Sequence, residues 1–273
     1  MRNIEKFVRL VNDVLILRLN GKADGDIGFL DKLFKKYKEK DKYKIRIKYL
    51  KRMYSVARTL NKHLNNDDWK ELFSKRNVKK YKNYEKNVIN TENSKLGKNL
   101  DKLLEFLETK KIKGKSKSLG SKSNCVVSAL SKYGYYHTEA NFPIYDTYAE
   151  KYIKLLFEKL YTKKQKEELA NQTKHKDKYW RHFFRYAMIL KCLNNVKIQK
   201  FKIRKNTKIP LIKGIDSFVW MYGVMKSAMK KDKIEINNKE PLCYSETCGD
   251  VSGFVSWYRN AKIFLRDKDK KRV

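Results

Sequence analysis

Proline occurs three times in this chain and glycine eleven times, over 273 residues. These two residues are the usual breakers of helices, so their scarcity commits most of the chain to helix. Apolar residues recur at helical spacing in stretch after stretch. Residues 3–19 predict a first helix, 26–37 a second and 44–64 a longer third. "NNDDWKELF" opens another, with Asn66 or Asp67 as its N-cap. Leu100, Leu103, Leu104 and Leu107 mark a further one, and Cys125 to Tyr136 an apolar one. Ala149, Tyr152, Ile153, Leu156 and Leu160 share one stripe. "DKYWRHFFRYAMILKCLNN", "IDSFVWMYGVMKSAMKK" (Asp216 as N-cap) and "SGFVSWYRNAKIFLRD" complete the helical pattern. "KKIKGKSKSLGSKSN" is small, polar and basic and has no face to bury, so it reads as a loop or hairpin. "VKIQKFKIR" alternates apolar and polar residues and fits either a short strand pair or a helix rim. The stretches 196–206 and 231–250 are left without an assignment.

A chain of this length carries one large domain or two small ones. The expected class is mostly α. An N-terminal helical region, 1–95, packs on a core formed by 96–273, with a soft boundary near Lys95. Eighteen tyrosines and thirteen phenylalanines argue against disorder.

Charge narrows the partners. Sixty-six Lys and Arg face thirty Asp and Glu, a formal net charge of +36. Such a chain repels itself unless a polyanion shares the space. A genome rich in Lys and Asn codons raises lysine, but it does not by itself produce a shortage of acids. A nucleic acid is therefore the expected partner, with an anionic membrane surface as the lesser alternative. No run approaches 18 apolar residues, so no membrane span is expected. Glu5, Arg9, Asp13 and Arg18 punctuate the N-terminal apolar stretch, which suits an amphipathic helix better than a signal peptide. The four cysteines stand at 125, 192, 243 and 248. Cys243 and Cys248 fit no common zinc spacing, and the chain lacks an iron–sulfur pattern. The expectation is reduced thiols, with Cys125 and Cys192 in the core, and neither a metal nor a cofactor.

One constellation carries chemistry: "SLGSKSNCVVSALSKYGYYHTEANFPIYD". A glycine-containing loop precedes a helix N-terminus, where outward backbone N–H groups grip phosphate without reading sequence. Lys113, Lys115, Lys117 and Lys122 add charge to that grip. An extended segment then runs through Pro143 to Asp146. Proline fixes its own φ and biases Phe142 toward an extended conformation, so the chain is straightened before the next helix. Asp146 meets the positive end of that helix.

At these residues the chain resembles the helix–hairpin–helix DNA glycosylase superfamily. Members carry a hairpin of the form L-x-G-x-G-[TR]-K, a helix, and a segment ending P-[IV]-x-D; this chain offers "SLGSK" and "FPIYD". One hairpin glycine is missing, since Leu119 stands beside Gly120. The spacing from Lys122 to Asp146 is longer than in the pattern, and "YYHTEAN" absorbs the difference. "SALSKYG…NFPIYDTYA" is similar to the adenine-glycosylase branch, and "IDSFVWMYG" to a helix of bacterial relatives. The resemblance covers roughly 100–225.

It implies a helix–hairpin–helix bundle that flips a damaged or modified base out of duplex DNA and cleaves its glycosidic bond. Modified cytosine in phage DNA, hydroxymethylated or glucosylated, is one such base, which would make the protein a defence enzyme. Asp146 would stabilise the oxocarbenium-like sugar, with Lys122 or water as nucleophile. The hairpin residues Lys117, Leu119, Gly120, Ser121 and Ser123 would bind DNA. Lys132 is a second nucleophile candidate. It lies more than two helical turns from the hairpin, so a solvated or DNA-facing role is expected of it. Tyr135, Tyr136, His137 and Tyr145 would line a base pocket or wedge into the gap. A bacterial, cytoplasmic, nucleoid-associated monomer is implied.

Plainer readings stand beside these. Asp146 can be only an N-cap, Lys122 only a phosphate contact, and His137 only a helix-end residue. His175 and His182 lie seven apart with only Asp177 near, which is too little for a metal site. Tyr133, Tyr135, Tyr136, Tyr145, Trp180 and Trp220 read as mainly core, and the two tryptophans as structural. A non-catalytic DNA- or RNA-binding protein is the alternative function, and it predicts an Asp146 enclosed among backbone N–H groups. A nuclease would need clustered carboxylates, for which only "NNDDW" and "CGDVS" offer themselves.

Overall fold

The computed structural model describes residues 2–20, 33–34, 36, 45–49, 82–112, 115–118, 124–173, 176, 178–204, 207–231 and 251–266. The described residues are mostly helical. The chain divides into two compact units. One holds Met1–Gly25, Thr147–Asn171 and Lys191–Val273; the other holds Asp26–Asp146 and Gln172–Leu190. The division interleaves the chain instead of falling near Lys95.

The first unit is built on α1 (Arg2–Asn20), α5 (Thr147–Leu160), α6 (Lys163–Thr173), α8 (Leu211–Lys231) and α9 (Val251–Leu265). On α1, Phe7, Leu10, Val11, Val14 and Leu15 form one buried stripe at helical spacing. Phe7 meets Phe218 edge-on at 5.2 Å, and Trp257 Nε1 donates to the Leu10 carbonyl at 2.8 Å. A hairpin of β3 (Lys200–Arg204) and β4 (Thr207–Pro210) completes the unit. The second half of the alternating stretch "VKIQKFKIR" is thus a strand and not a helix rim: Phe201 is buried while its neighbours Lys200 and Lys202 are exposed. Phe201 seats against Gly214 of α8, where its ring occupies the space a Cβ would take. Asp216 is not the N-cap of α8. The helix starts at Leu211, straight after Pro210, so Asp216 lies inside it and is buried. Helix α6 is an element the periodicity did not single out; its sequence is largely polar and its outer residues are exposed.

The second unit holds α2 (Tyr84–Asn90), α3 (Asn93–Glu108), β1 (Thr109–Ile112), β2 (Lys115–Ser118) and α4 (Asn124–His137). It also takes α7 (Lys178–Asn195) as far as Leu190. The basic stretch after α3 forms the β1–β2 hairpin, in which Lys110 pairs with Lys117. Tyr84, Phe142 and Phe183 pack ring to ring, and Tyr84 Oη donates to the Phe183 carbonyl at 3.0 Å. Trp180 is buried and structural, as read; its Nε1 donates to Asp101 at 2.8 Å. Of the helices expected over 26–37 and 44–64, only residues 33–34, 36 and 45–49 are described, and they are helical. The one expected at "NNDDWKELF" lies outside the described residues.

Candidate functional site

Helix α4 ends in a way that sets the course of the chain toward Asp146. Ala140 N–H donates to the Tyr135 carbonyl at 2.8 Å, and Glu139 takes φ 57°. This is the Schellman closure, in which the left-handed position is usually glycine. Here Glu139 and then Ala140 (φ 65°) both adopt it, and neither is glycine. Thr138 Oγ1 donates to the Gly134 carbonyl at 2.7 Å, and Asn141 Nδ2 donates to the Thr138 carbonyl at 2.6 Å. A strained reversal is therefore held by local hydrogen bonds.

Residues 142–146 then run beside α4 and α7. Phe142 and Pro143 are buried. Ser131 Oγ accepts the Tyr145 N–H at 2.8 Å and donates to the Ser128 carbonyl at 2.9 Å. From α7, His182 Nε2 donates to the Ile144 carbonyl at 3.0 Å. A carbonyl only accepts, so the His182 proton sits on Nε2. Complete burial, aided by Arg185, pushes the His182 pKa down to about 3, against the bond to Ile144, which raises it. Its Nδ1 is buried with no hydrogen-bond partner among the described residues. The Tyr145 ring stands edge-on to Tyr179 (4.8 Å) and His182 (5.1 Å). The residues on either side of Tyr145 are thereby fixed, and Asp146 with them.

Asp146 does not stand alone. Lys132 Nζ lies 3.9 Å from Asp146 Oδ2 and donates to Ser128 Oγ at 3.0 Å. The Lys132 side chain is 7% exposed and that of Asp146 25%. This corrects the expectation of a solvated Lys132: the side chain is buried. Counting helical turns from the hairpin led the wrong way, because the reversal after α4 folds Asp146 back along the same helix. The signal in the sequence was the one charged residue in the block Val127–Tyr136.

Tyr133, Tyr135, Tyr136 and Tyr145 are core, as their reading as mainly core expects, and the base-pocket role implied for the last three is corrected. Tyr135, Tyr136 and Tyr145 are buried core residues, 3–4% exposed, and not an open pocket wall. Tyr136 packs on Phe34, as does Tyr133. His137 stacks on Tyr133 and takes a 2.6 Å hydrogen bond from Arg46 Nη1, so it is engaged within the fold and not offered to a base. Arg46 is itself buried over the Phe34 and Tyr133 rings at 5.6 and 5.7 Å. Trp220, read as structural, is 37% exposed, with the Arg18 guanidinium 5.4 Å from its ring. Cys192 is a free, half-buried thiol, with its pKa raised by burial.

Leu119, Gly120, Ser121, Lys122 and Ser123 lie outside the described residues, as do His175 and Asp177. Lys117 is on β2. A pocket of about 460 Å³ opens between α2 and α3, lined by Asn87, Thr91 and Asn99 among others, and contains neither Lys132 nor Asp146. Among the described residues no three His, Cys, Asp or Glu side chains group to hold a metal, and no helix is long and apolar enough to cross a membrane. Comparison with known proteins finds no match to a family, to a curated protein or to a solved structure.

Proposed function

We propose that this chain is a DNA N-glycosylase that excises a damaged or modified base, with Asp146 and Lys132 as its reacting pair. The observation that carries the reading is the ammonium of Lys132, buried and anchored by Ser128, within 3.9 Å of a carboxylate that solvent still reaches. A buried ion pair is weak evidence for stability, and a pinned, partly open pair beside a strained turn suits chemistry better. The net charge of +36 suits DNA as substrate.

In this reading the base departs with the electron pair of its glycosidic bond and takes up a proton. Positive charge develops on the sugar, and the Asp146 carboxylate stabilises it. The sugar cation is then captured by the Lys132 amine, whose ammonium proton has passed to the departing base, or by water, which gives up a proton to the Asp146 carboxylate while the base is protonated from solvent. Lys132 replaces Lys122 as the preferred amine because of its distance to Asp146, and Lys122 keeps the phosphate contact. The alternative of a non-catalytic binding protein called for an enclosed Asp146, and a carboxylate one quarter exposed beside a lysine favours catalysis.

The test is single-turnover incubation with duplexes carrying oxidised, alkylated or glucosylated bases, scored for abasic sites. Asp146→Asn is expected to lose base release by at least about a hundredfold. Full activity in that variant overturns the reading. Borohydride trapping divides the two routes: an adduct that persists in Lys122→Ala and vanishes in Lys132→Gln assigns the amine, and no adduct in the wild type assigns water.

A further inference from the structure

We infer that the β3–β4 hairpin is a separate nucleic-acid contact, a basic ribbon that grips the phosphate backbone of duplex DNA. It needs only that the chain binds nucleic acid, not that it excises a base. The strand alternation turns Phe201 inward, where it is 1% exposed, and turns Lys200 and Lys202 outward. On the partner strand Lys208 is exposed and directly opposite Lys202.

Like charges directly opposed across a ladder destabilise it. Nothing in the surrounding sequence offsets this, because no acidic residue occurs between Asp177 and Asp216. Lys200, Lys202 and Lys208 also have no ion-pair partner among the described residues. The ribbon is nonetheless held firmly, since the Phe201 ring fills the space left by the missing Cβ of Gly214. A ribbon anchored by Phe201 thus displays three ammonium groups on one face that have no ion-pair partner among the described residues.

The chemistry selects the ligand. Lysine is a flexible point charge, suited to phosphates and not to forked contacts with base edges. A membrane-binding element needs an apolar face to insert, and the outward face of this ribbon carries lysines. Single strands are held chiefly by stacking on aromatic side chains, and the hairpin's one aromatic, Phe201, points inward. A two-stranded ribbon has the width that the major groove of a duplex admits. Duplex backbone is what remains.

The test measures binding of the full chain to an unmodified mixed-sequence duplex by fluorescence anisotropy over a series of salt concentrations. The readout is binding to intact DNA, so it stands whether or not any base is released. In Lys200→Gln/Lys202→Gln/Lys208→Gln the slope of log Kd against log salt is expected to fall by about 0.9 for each phosphate that is no longer neutralised. The control Lys82→Gln/Lys86→Gln/Lys98→Gln removes the same charge from exposed lysines of the other unit, and is expected to move the slope less. An unchanged slope in the hairpin variant, or an equal fall in the control, overturns the inference. So does loss of binding to anionic phosphatidylserine vesicles with duplex binding intact, which would mark a membrane contact instead. Circular dichroism melts confirm that each variant is folded.

Discussion

Helices α4 and α7 end alike and then diverge. Each closes with an N–H reaching back five residues: Ala140 to Tyr135 at 2.8 Å, and Ile198 to Leu193 at 3.0 Å. Each places a charged residue where glycine is usual, Glu139 at φ 57° and Lys197 at φ 61°. After α4 the chain is buried, straightened by Pro143, and tied by Ser131 on one side and His182 on the other. After α7 it emerges into an exposed hairpin fixed by one inward ring, Phe201. The same backbone device thus delivers two kinds of site. One holds a carboxylate against an amine, where tenths of an ångström matter. The other displays like charges, where density matters and position is forgiving.

The contrast is open to measurement. The largest stability effect is expected at the buried pair. Lys132→Met keeps the stem and removes the ammonium that stands beside Asp146. Breaking a buried pair costs about 3–5 kcal/mol, and the partial exposure of Asp146 reduces this to about 2–3 kcal/mol. Lys202→Met on the ribbon is expected to stay within about 0.5 kcal/mol. Urea midpoints of the two variants give the difference directly, and equal costs would erase the distinction between the two sites.

Acid should separate the regions next. His182 stays neutral in the folded chain down to about pH 3, while in the unfolded chain it takes up a proton near pH 6.5. The unfolded state therefore binds more protons between these values, so stability present above pH 6.5 is lost progressively as pH falls toward 3. By pH 5 the loss from this group is roughly 2 kcal/mol at 1.36 kcal/mol per unit. In His182→Gln, which keeps a donor for Ile144 and does not titrate, that part of the pH dependence should disappear. A pH profile identical to the wild type would show that His182 is not the group responsible.

On the hairpin side the matching vulnerability is steric. Gly214→Ala drives a methyl into the Phe201 ring, which must move. Overpacking of this kind costs about 1–3 kcal/mol. It should also weaken DNA binding by tilting the ribbon, with release of base at saturating DNA as the comparison. The smallest effects belong to the shared device. Glu139→Gly and Lys197→Gly each relieve a left-handed residue and should gain about 0.5–1 kcal/mol in thermal or urea melts. Similar gains at both sites would confirm that the turns are equivalent and only their surroundings differ.

Much of this was legible in the chain. Helical spacing placed α1, α4, α5, α7, α8 and α9 within a few residues, because periodicity is a local property. The strand alternation of "VKIQKFKIR" was visible, but its choice between sheet and helix rim was not. That choice was made by Gly214, ten residues or more downstream, which leaves room for Phe201. The N-cap expected at Asp216 failed because the helix starts straight after β4, earlier than a favourable cap residue suggests. The tyrosines around 133–136 were legible as core from the apolar helix they sit in, but whether one of them also met a base was not, since aromatics serve cores and binding surfaces alike.

What the sequence determined by itself is the helical class, the excess of positive charge, and the proline-straightened approach to Asp146. These follow from propensity, composition and the fixed φ of proline, none of which needs a partner distant in the chain. The company Asp146 keeps was decided by tertiary structure. Two left-handed residues reverse the chain after α4, and bonds from Ser131 and His182 lay the segment back along that helix. Only then does Lys132 come to stand 3.9 Å from the carboxylate. Distance through space depends on how a turn closes and what pins it, and neither is recorded in the spacing of residues along the chain.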